Sequence, residues 1–141
     1  IVLLGDSSLC EEHCAKCPET ARVLQGCPLA AGAAELRLGE SLFSMLTPGT
    51  YLRPHCGPTN MRLTLHLGID VPEGCTITCG GETRMWTEGK CIVFDDSYEH
   101  EVNHTGDQPR IVLLVNFWHP ALPQERWKEL VDEINKPKSR A

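Results

Sequence analysis

The chain has no run approaching the roughly 20 uncharged apolar residues that carry a helix across a bilayer, although 41% of its 141 residues are apolar. It has no basic stripe either. Thirteen Lys and Arg stand against nineteen Asp and Glu, a net charge of −6, which argues against nucleic acid as a partner. No phosphate-binding P-loop, Rossmann glycine fingerprint or Gly-x-Ser-x-Gly elbow occurs, which removes the commonest nucleotide and acyl-transfer chemistries. No internal repeat or low-complexity segment is present, and no basic segment, apolar stretch and cleavage site open the chain. Ile1 to Gly5 read as the inside of a strand, so the chain is expected to be a piece of a longer protein, with any membrane anchor or targeting signal outside it. The length suits one domain with a real core.

Cysteine is abundant instead: eight in all, with Cys10, Cys14, Cys17 and Cys27 within the first thirty positions. Two readings stay open for these four. Cys14-x-x-Cys17 with Cys10, His13 and Cys27 offers enough ligands for zinc, while disulfides pinning a loop would mark an oxidising compartment. Asn103-His104-Thr105 is an N-glycosylation sequon. Sequon and cysteines together lean towards a secretory lumen.

Residues 1–40 read as irregular, with one short helix around Glu19 to Leu24. From Ser41 the texture changes to short apolar runs between turn residues. Strands are predicted at Ser41–Leu46, Met61–Ile69, Thr76–Cys79, Thr83–Trp86, Cys91–Phe94 and Ile111–Phe117. Turns fall at Pro48-Gly49, Gly57-Pro58, Pro72-Glu73-Gly74, Gly80-Gly81, Glu88-Gly89 and Gly106-Asp107. Many short strands closely spaced predict an all-β sandwich or barrel, with a jelly roll leading, over residues 41–120. Residues 121–141 close the chain with a helix, because Trp127, Leu130, Val131 and Ile134 follow the i, i+3, i+4, i+7 rule.

The sharpest pattern lies in Met61–Ile69. Met61, Leu63, Leu65, Leu67 and Ile69 share one parity, and Arg62, Thr64, His66 and Gly68 the other. One face is therefore an apolar wall, and the other presents Arg62, Thr64 and His66 to solvent or to a polar pocket. Just before it, His55 is held stiffly between Pro54 and the Gly57-Pro58 turn, as suits a ligand. His100 follows Phe94-Asp95-Asp96 in a loop at a strand mouth. Two histidines so separated fit a non-haem iron site in a jelly roll. Arg110, opening the last strand, is either an edge charge or a fork that grips a carboxylate. Ser44 is either a solvent-face serine or one more donor to that carboxylate. Cys56 beside His55 is a poor nucleophile, since neighbours on an extended chain point apart.

Taken together, Pro48-Gly49-Thr50, His55-Cys56-Gly57-Pro58-Thr59-Asn60, His66-Leu67-Gly68, Phe94-Asp95-Asp96-Ser97-Tyr98-Glu99-His100-Glu101 and Phe117-Trp118-His119-Pro120 resemble the aspartyl/asparaginyl β-hydroxylase family. The resemblance spans about Ser41 to Pro120. It implies a double-stranded β-helix (jelly roll, cupin-like) with a few flanking helices, and a dioxygenase using Fe(II), 2-oxoglutarate and O₂. It assigns His55 and His100 to iron, Arg110 and Ser44 to the distal carboxylate of 2-oxoglutarate, and His66, with Thr64 beside it, to the metal-chelating end. Arg62 is then a candidate substrate contact. The implied partner is a protein, with an EGF-like or other Asp/Asn-containing domain, and the implied setting is the endoplasmic reticulum or Golgi lumen. Two features depart from the wider pattern. Gly57 stands where most such enzymes carry a carboxylate ligand two residues after the first histidine, as is similar throughout this branch. Thr64 stands where members acting on acidic residues carry a further arginine. A lipid or small-molecule substrate, or a silent binding module on the same scaffold, are the alternatives.

Overall fold

In the computed structural model, residues 1–5 and 8–136 are described. Two antiparallel sheets face each other. The larger runs β2 (Ser8–Leu9), β1 (Val2–Gly5), β3 (Ser41–Leu46), β10 (Arg110–Trp118), β5 (Arg62–Asp70) and β8 (Cys91–Phe94). The smaller runs β4 (Tyr51–His55), β9 (His100–His104), β6 (Cys75–Cys79) and β7 (Glu82–Met85). Three short helices, α1 (Glu11–Lys16), α2 (Pro18–Gln25) and α3 (Pro28–Glu35), link β2 to β3, and α4 (Trp127–Asn135) closes the described chain. None of the described helices is long and apolar enough to cross a membrane.

The position of β5 between β10 and β8 explains its alternation. Leu65 and Leu67, with Phe43, Leu113, Val115 and Phe117, turn to the outer face, where Leu24, Ala30 and Ala34 of the helices cover them. The polar parity turns inward, against the second sheet. Thr64 and His66 are only 3% and 8% exposed, deeper than their apolar neighbours on the same strand. The polar face is the buried one because a whole sheet lies over it, whereas short helices cover the other side in part. Of the two readings the sequence left open, the structure selects the pocket.

The helix expected around Glu19 to Leu24 is α2, whereas α1 and α3 contradict the irregular reading of the rest of residues 1–40. Pro18 and Pro28 each occupy a first helical turn, where the missing N–H costs nothing. The small residues Ala30, Ala33 and Ala34, all nearly inaccessible, let α3 lie close on β10. Gly32 is required on that helix: a Cβ there would sit 2.4 Å from the Trp127 ring of α4. Trp127 in turn lies parallel to Trp118, ring centroids 4.9 Å apart. A 3₁₀ turn at Gln124–Arg126 precedes α4, so the closing helix starts later than residue 121, and Ile134 of its expected stripe is exposed. The remainder of the expected 121–141 segment, from residue 137, lies outside the described residues.

The expected disulfides are not formed: all eight cysteines are free thiols. The four early ones are instead spent on short helices, where Cys14 Sγ reaches the Leu3 carbonyl at 3.5 Å and Cys17 Sγ the His13 carbonyl at 3.3 Å. Among the described residues no group of three or more His, Cys, Asp or Glu is arranged to hold a metal ion, so the zinc reading finds no site there.

Candidate functional site

A cavity of about 380 Å³ opens between the sheets, and Ser44, His55, Arg62, Thr64, His66, His100 and Arg110 all line it. These are the seven residues singled out from the sequence. Each arrives on a strand of known inward parity, and β10 sets Val112 opposite both Ser44 and Gly68.

His55 and His100 are register partners across β4 and β9, with ring centroids 4.2 Å apart. Neither sits in a loop, as the sequence suggested: His55 ends β4 and His100 opens β9. The strand β4 escaped prediction because it is an exposed edge with Pro54 inside it, beside a register shift. An edge and a shifted ladder are where a strand tolerates proline. Each imidazole is oriented by its own backbone. His55 Nδ1 donates to the Arg53 carbonyl at 2.7 Å, and His100 Nδ1 donates to the Tyr98 carbonyl at 2.9 Å. A carbonyl can only accept, so both rings carry the proton on Nδ1 and keep an Nε2 lone pair for a metal.

No carboxylate joins this pair, because position 57 is glycine. The space is filled from elsewhere: a Cβ on Gly57 would lie 2.6 Å from Asp96 Cγ and Oδ1. Asp96 Oδ2 accepts from Arg62 Nη2 at 2.8 Å, a pair with side chains only 9% and 14% exposed. Arg62 Nη1 also donates to the Leu38 carbonyl at 2.6 Å.

Deeper in, the donors lack acceptors. Arg110 is 2% exposed, and its Nε and Nη1 have no protein partner; His66 Nε2 is likewise buried and unpartnered. Burial first, then the proximity of Arg110 and His100, push the His66 pKa down to about 3, so the ring is neutral. Burial also lowers the Arg110 pKa from its ordinary value. Thr64 lines the same cavity: its hydroxyl accepts from Asn116 Nδ2 at 2.9 Å, and Asn116 Oδ1 accepts from the Glu40 N–H at 3.1 Å.

Asn116 and Asp96 belong to the site and were missed. Asn116 shares the inward parity of Arg110 in an otherwise apolar strand, a signal that was readable. Asp96 lies in a polar loop and gave none.

The two facing sheets, with paired histidines at the mouth and buried N–H donors behind them, define a cupin-type jelly roll. Solved structures agree on the fold: a cupin domain of an XRE-family transcriptional regulator from Enterobacter cloacae aligns over 57% of this chain and 82% of that one, TM-score 0.50, 12% identity. The Schizosaccharomyces pombe Cnp3 cupin domain aligns over 64% and 61%, TM-score 0.50, 6% identity. The profile of the aspartyl/asparaginyl beta-hydroxylase family matches residues 1–120, and the chain belongs to that family. Human aspartyl/asparaginyl beta-hydroxylase is 45% identical over 82% of this chain, which spans 15% of that protein. Mouse aspartate beta-hydroxylase domain-containing protein 2 is 43% identical over 77% of the chain, 32% of that protein. Human aspartate beta-hydroxylase domain-containing protein 1 is 42% identical over 84%, 31% of that protein.

Proposed function

We propose that this chain is the catalytic domain of an Fe(II)- and 2-oxoglutarate-dependent dioxygenase that hydroxylates Asp or Asn side chains of proteins at the β-carbon. The observation that carries the reading is the cavity's donor set. Two outward Nε2 lone pairs stand at the mouth, and buried N–H donors of His66 and Arg110 stand behind them without acceptors. Unsatisfied buried donors are costly, and a ligand that supplies carboxylate oxygens removes that cost.

The residues fit the implied groups. His55 and His100 would hold Fe(II), as neutral imidazoles suit iron. With two neutral protein ligands, a dianionic co-substrate balances the metal charge without a protein carboxylate, in keeping with Gly57. Arg110 and Ser44 would receive the distal carboxylate of 2-oxoglutarate, and neutral His66 would donate Nε2–H towards its chelating end. When bound, iron and 2-oxoglutarate supply the oxygen-activating chemistry that inserts oxygen into a C–H bond. The chain's own residues orient both partners, and Ile77 and Leu114 supply apolar wall to the inner cavity.

A protein substrate follows the names of the relatives. Arg62 is held by Asp96 and Leu38, so substrate docking on it would have to compete with that pair. A secretory lumen rests on the sequon, whose Asn103 is exposed on β9; a mobility shift on endoglycosidase treatment of the cellular protein tests it.

The deciding experiment compares 2-oxoglutarate conversion to succinate, with Fe(II) and ascorbate, in wild type and His100→Ala. Turnover present in wild type and lost in the variant is expected. No turnover and no Mn(II)-dependent 2-oxoglutarate binding in wild type would turn the reading to a silent binding module.

A further inference from the structure

We infer that Trp86 is a positioning residue for the deep end of this cavity: its indole N–H fixes the tautomer of His66, and its ring face holds the Arg110 guanidinium. Trp86 is 4% exposed and packs in the core of the β sandwich with Ile77, Val102 and Val112, behind the cavity wall. Its Nε1 donates to His66 Nδ1 at 3.3 Å, and the two ring planes lie within 19° of each other. Indole nitrogen is a donor only. His66 Nδ1 must therefore accept, and the imidazole proton resides on Nε2, the atom left without a protein partner.

The second contact involves the same side chain. Arg110 Cζ stands 4.8 Å from the centroid of the Trp86 ring. Among the described residues Arg110 enters no ion pair, so the negative face of the indole, with the nearby Cys75 thiol, compensates its charge in the interior. One residue thus aims an N–H and a cation into the cavity. Reversing the His66 tautomer would turn a lone pair, instead of a donor, towards an incoming carboxylate. The consequence for 2-oxoglutarate rests on the function proposed above; the tautomer does not.

The test uses histidine labelled with ¹⁵N in the purified chain near neutral pH, with the His66 signals assigned through His66→Asn. Long-range correlation spectra should show His66 protonated on Nε2 and carrying a hydrogen-bonded, unprotonated Nδ1. Trp86→Phe keeps a ring under Arg110 but removes the N–H. It should move the Nδ1 resonance to that of a free acceptor and weaken Mn(II)-dependent 2-oxoglutarate binding about tenfold, with Mn(II) affinity unchanged. Trp86→Leu, which also removes the ring, should weaken 2-oxoglutarate binding further. A wild-type His66 protonated on Nδ1 would overturn the inference, and needs no variant to fold. So would an Nδ1 resonance or 2-oxoglutarate affinity that Trp86→Phe leaves unmoved. Absence of 2-oxoglutarate binding to wild type would sink the proposed function while the resonance of Nδ1 still judged the role of Trp86.

Discussion

Gly57→Ala adds one methyl group at the point where the site lacks a carboxylate ligand. An ideal Cβ there lies 2.6 Å from both Cγ and Oδ1 of Asp96 and 2.8 Å from Oδ2. Asp96 cannot simply step aside. Its main-chain carbonyl accepts from the Gly57 N–H at 2.6 Å, and its Oδ2 is held by Arg62 Nη2 at 2.8 Å. Overpacking alone costs about 1–3 kcal/mol, and parting a buried ion pair costs about 3–5 kcal/mol. Partial relaxation puts the expected loss near 3 kcal/mol, or roughly 10 °C in Tm for a domain of this size. Urea unfolding of Gly57→Ala, Asp96→Ala and the double variant measures it. With Asp96 truncated the methyl group has room, so the two substitutions should couple by at least about 2 kcal/mol. A Gly57→Ala stability within about 0.5 kcal/mol of wild type would refute the reasoning, as would an equal loss in the Asp96→Ala background. The same geometry implies that Gly57→Asp will not add a third metal ligand: Mn(II) affinity should not rise, because the new side chain must first displace Asp96.

Two further predictions concern the buried basic side chains His66 and Arg110. His66 has its pKa pushed from 6.5 to about 3 by burial first, then by Arg110 and His100. Below 6.5 the unfolded chain binds a proton that the folded chain refuses, so this contribution is complete above pH 6.5 and is lost as pH falls towards 3. Between pH 6.5 and 5 the loss is 1.5 pH units, about 2 kcal/mol; His66→Gln should remove that part of the slope, and equal slopes would refute it. Arg110→Met should abolish 2-oxoglutarate binding by about 100-fold or more. It should nevertheless leave the ligand-free protein at least as stable by urea unfolding, since it replaces a buried cation that has unpartnered donors. A loss of more than about 2 kcal/mol would show that Arg110 supports the fold itself.

Most of the site was legible because strand parity is a strict rule. Once Met61–Ile69 reads as alternating, Arg62, Thr64 and His66 must share a face, and the same rule applied to Ile111–Phe117 places Asn116 with Arg110. What parity could not supply was which face is covered. That depends on the second sheet, whose edge strand β4 looks like a turn because Pro54 interrupts it and all five of its residues are exposed. Cysteine density misled for a related reason. Spacing along the chain suggested covalent staples or a zinc site, but the helices α1 to α3 turn Cys14 and Cys17 towards carbonyl oxygens. Pro28, read as a helix start, would have revealed α3, as Pro18 would have fixed the start of the expected α2.

Asp96 marks where sequence reading stops. Nothing in Phe94-Asp95-Asp96-Ser97 separates one aspartate from the next, yet their surroundings differ. Asp95 Oδ1 caps a turn by accepting from the Ser97 N–H at 2.9 Å. Asp96 goes inward, where Gly57 carries no Cβ to collide with it and Arg62 offers a partner. The glycine, the arginine and the aspartate come from three separate segments, and none is informative without the other two. The room beside Gly57 is occupied by a carboxylate from another loop, tied to Arg62 instead of extending from the strand that carries His55. Gly57, Asp96 and Arg62 form one packed unit beside His55, which is why the Gly57→Ala and Asp96→Ala cycle comes before substitutions of the histidines themselves.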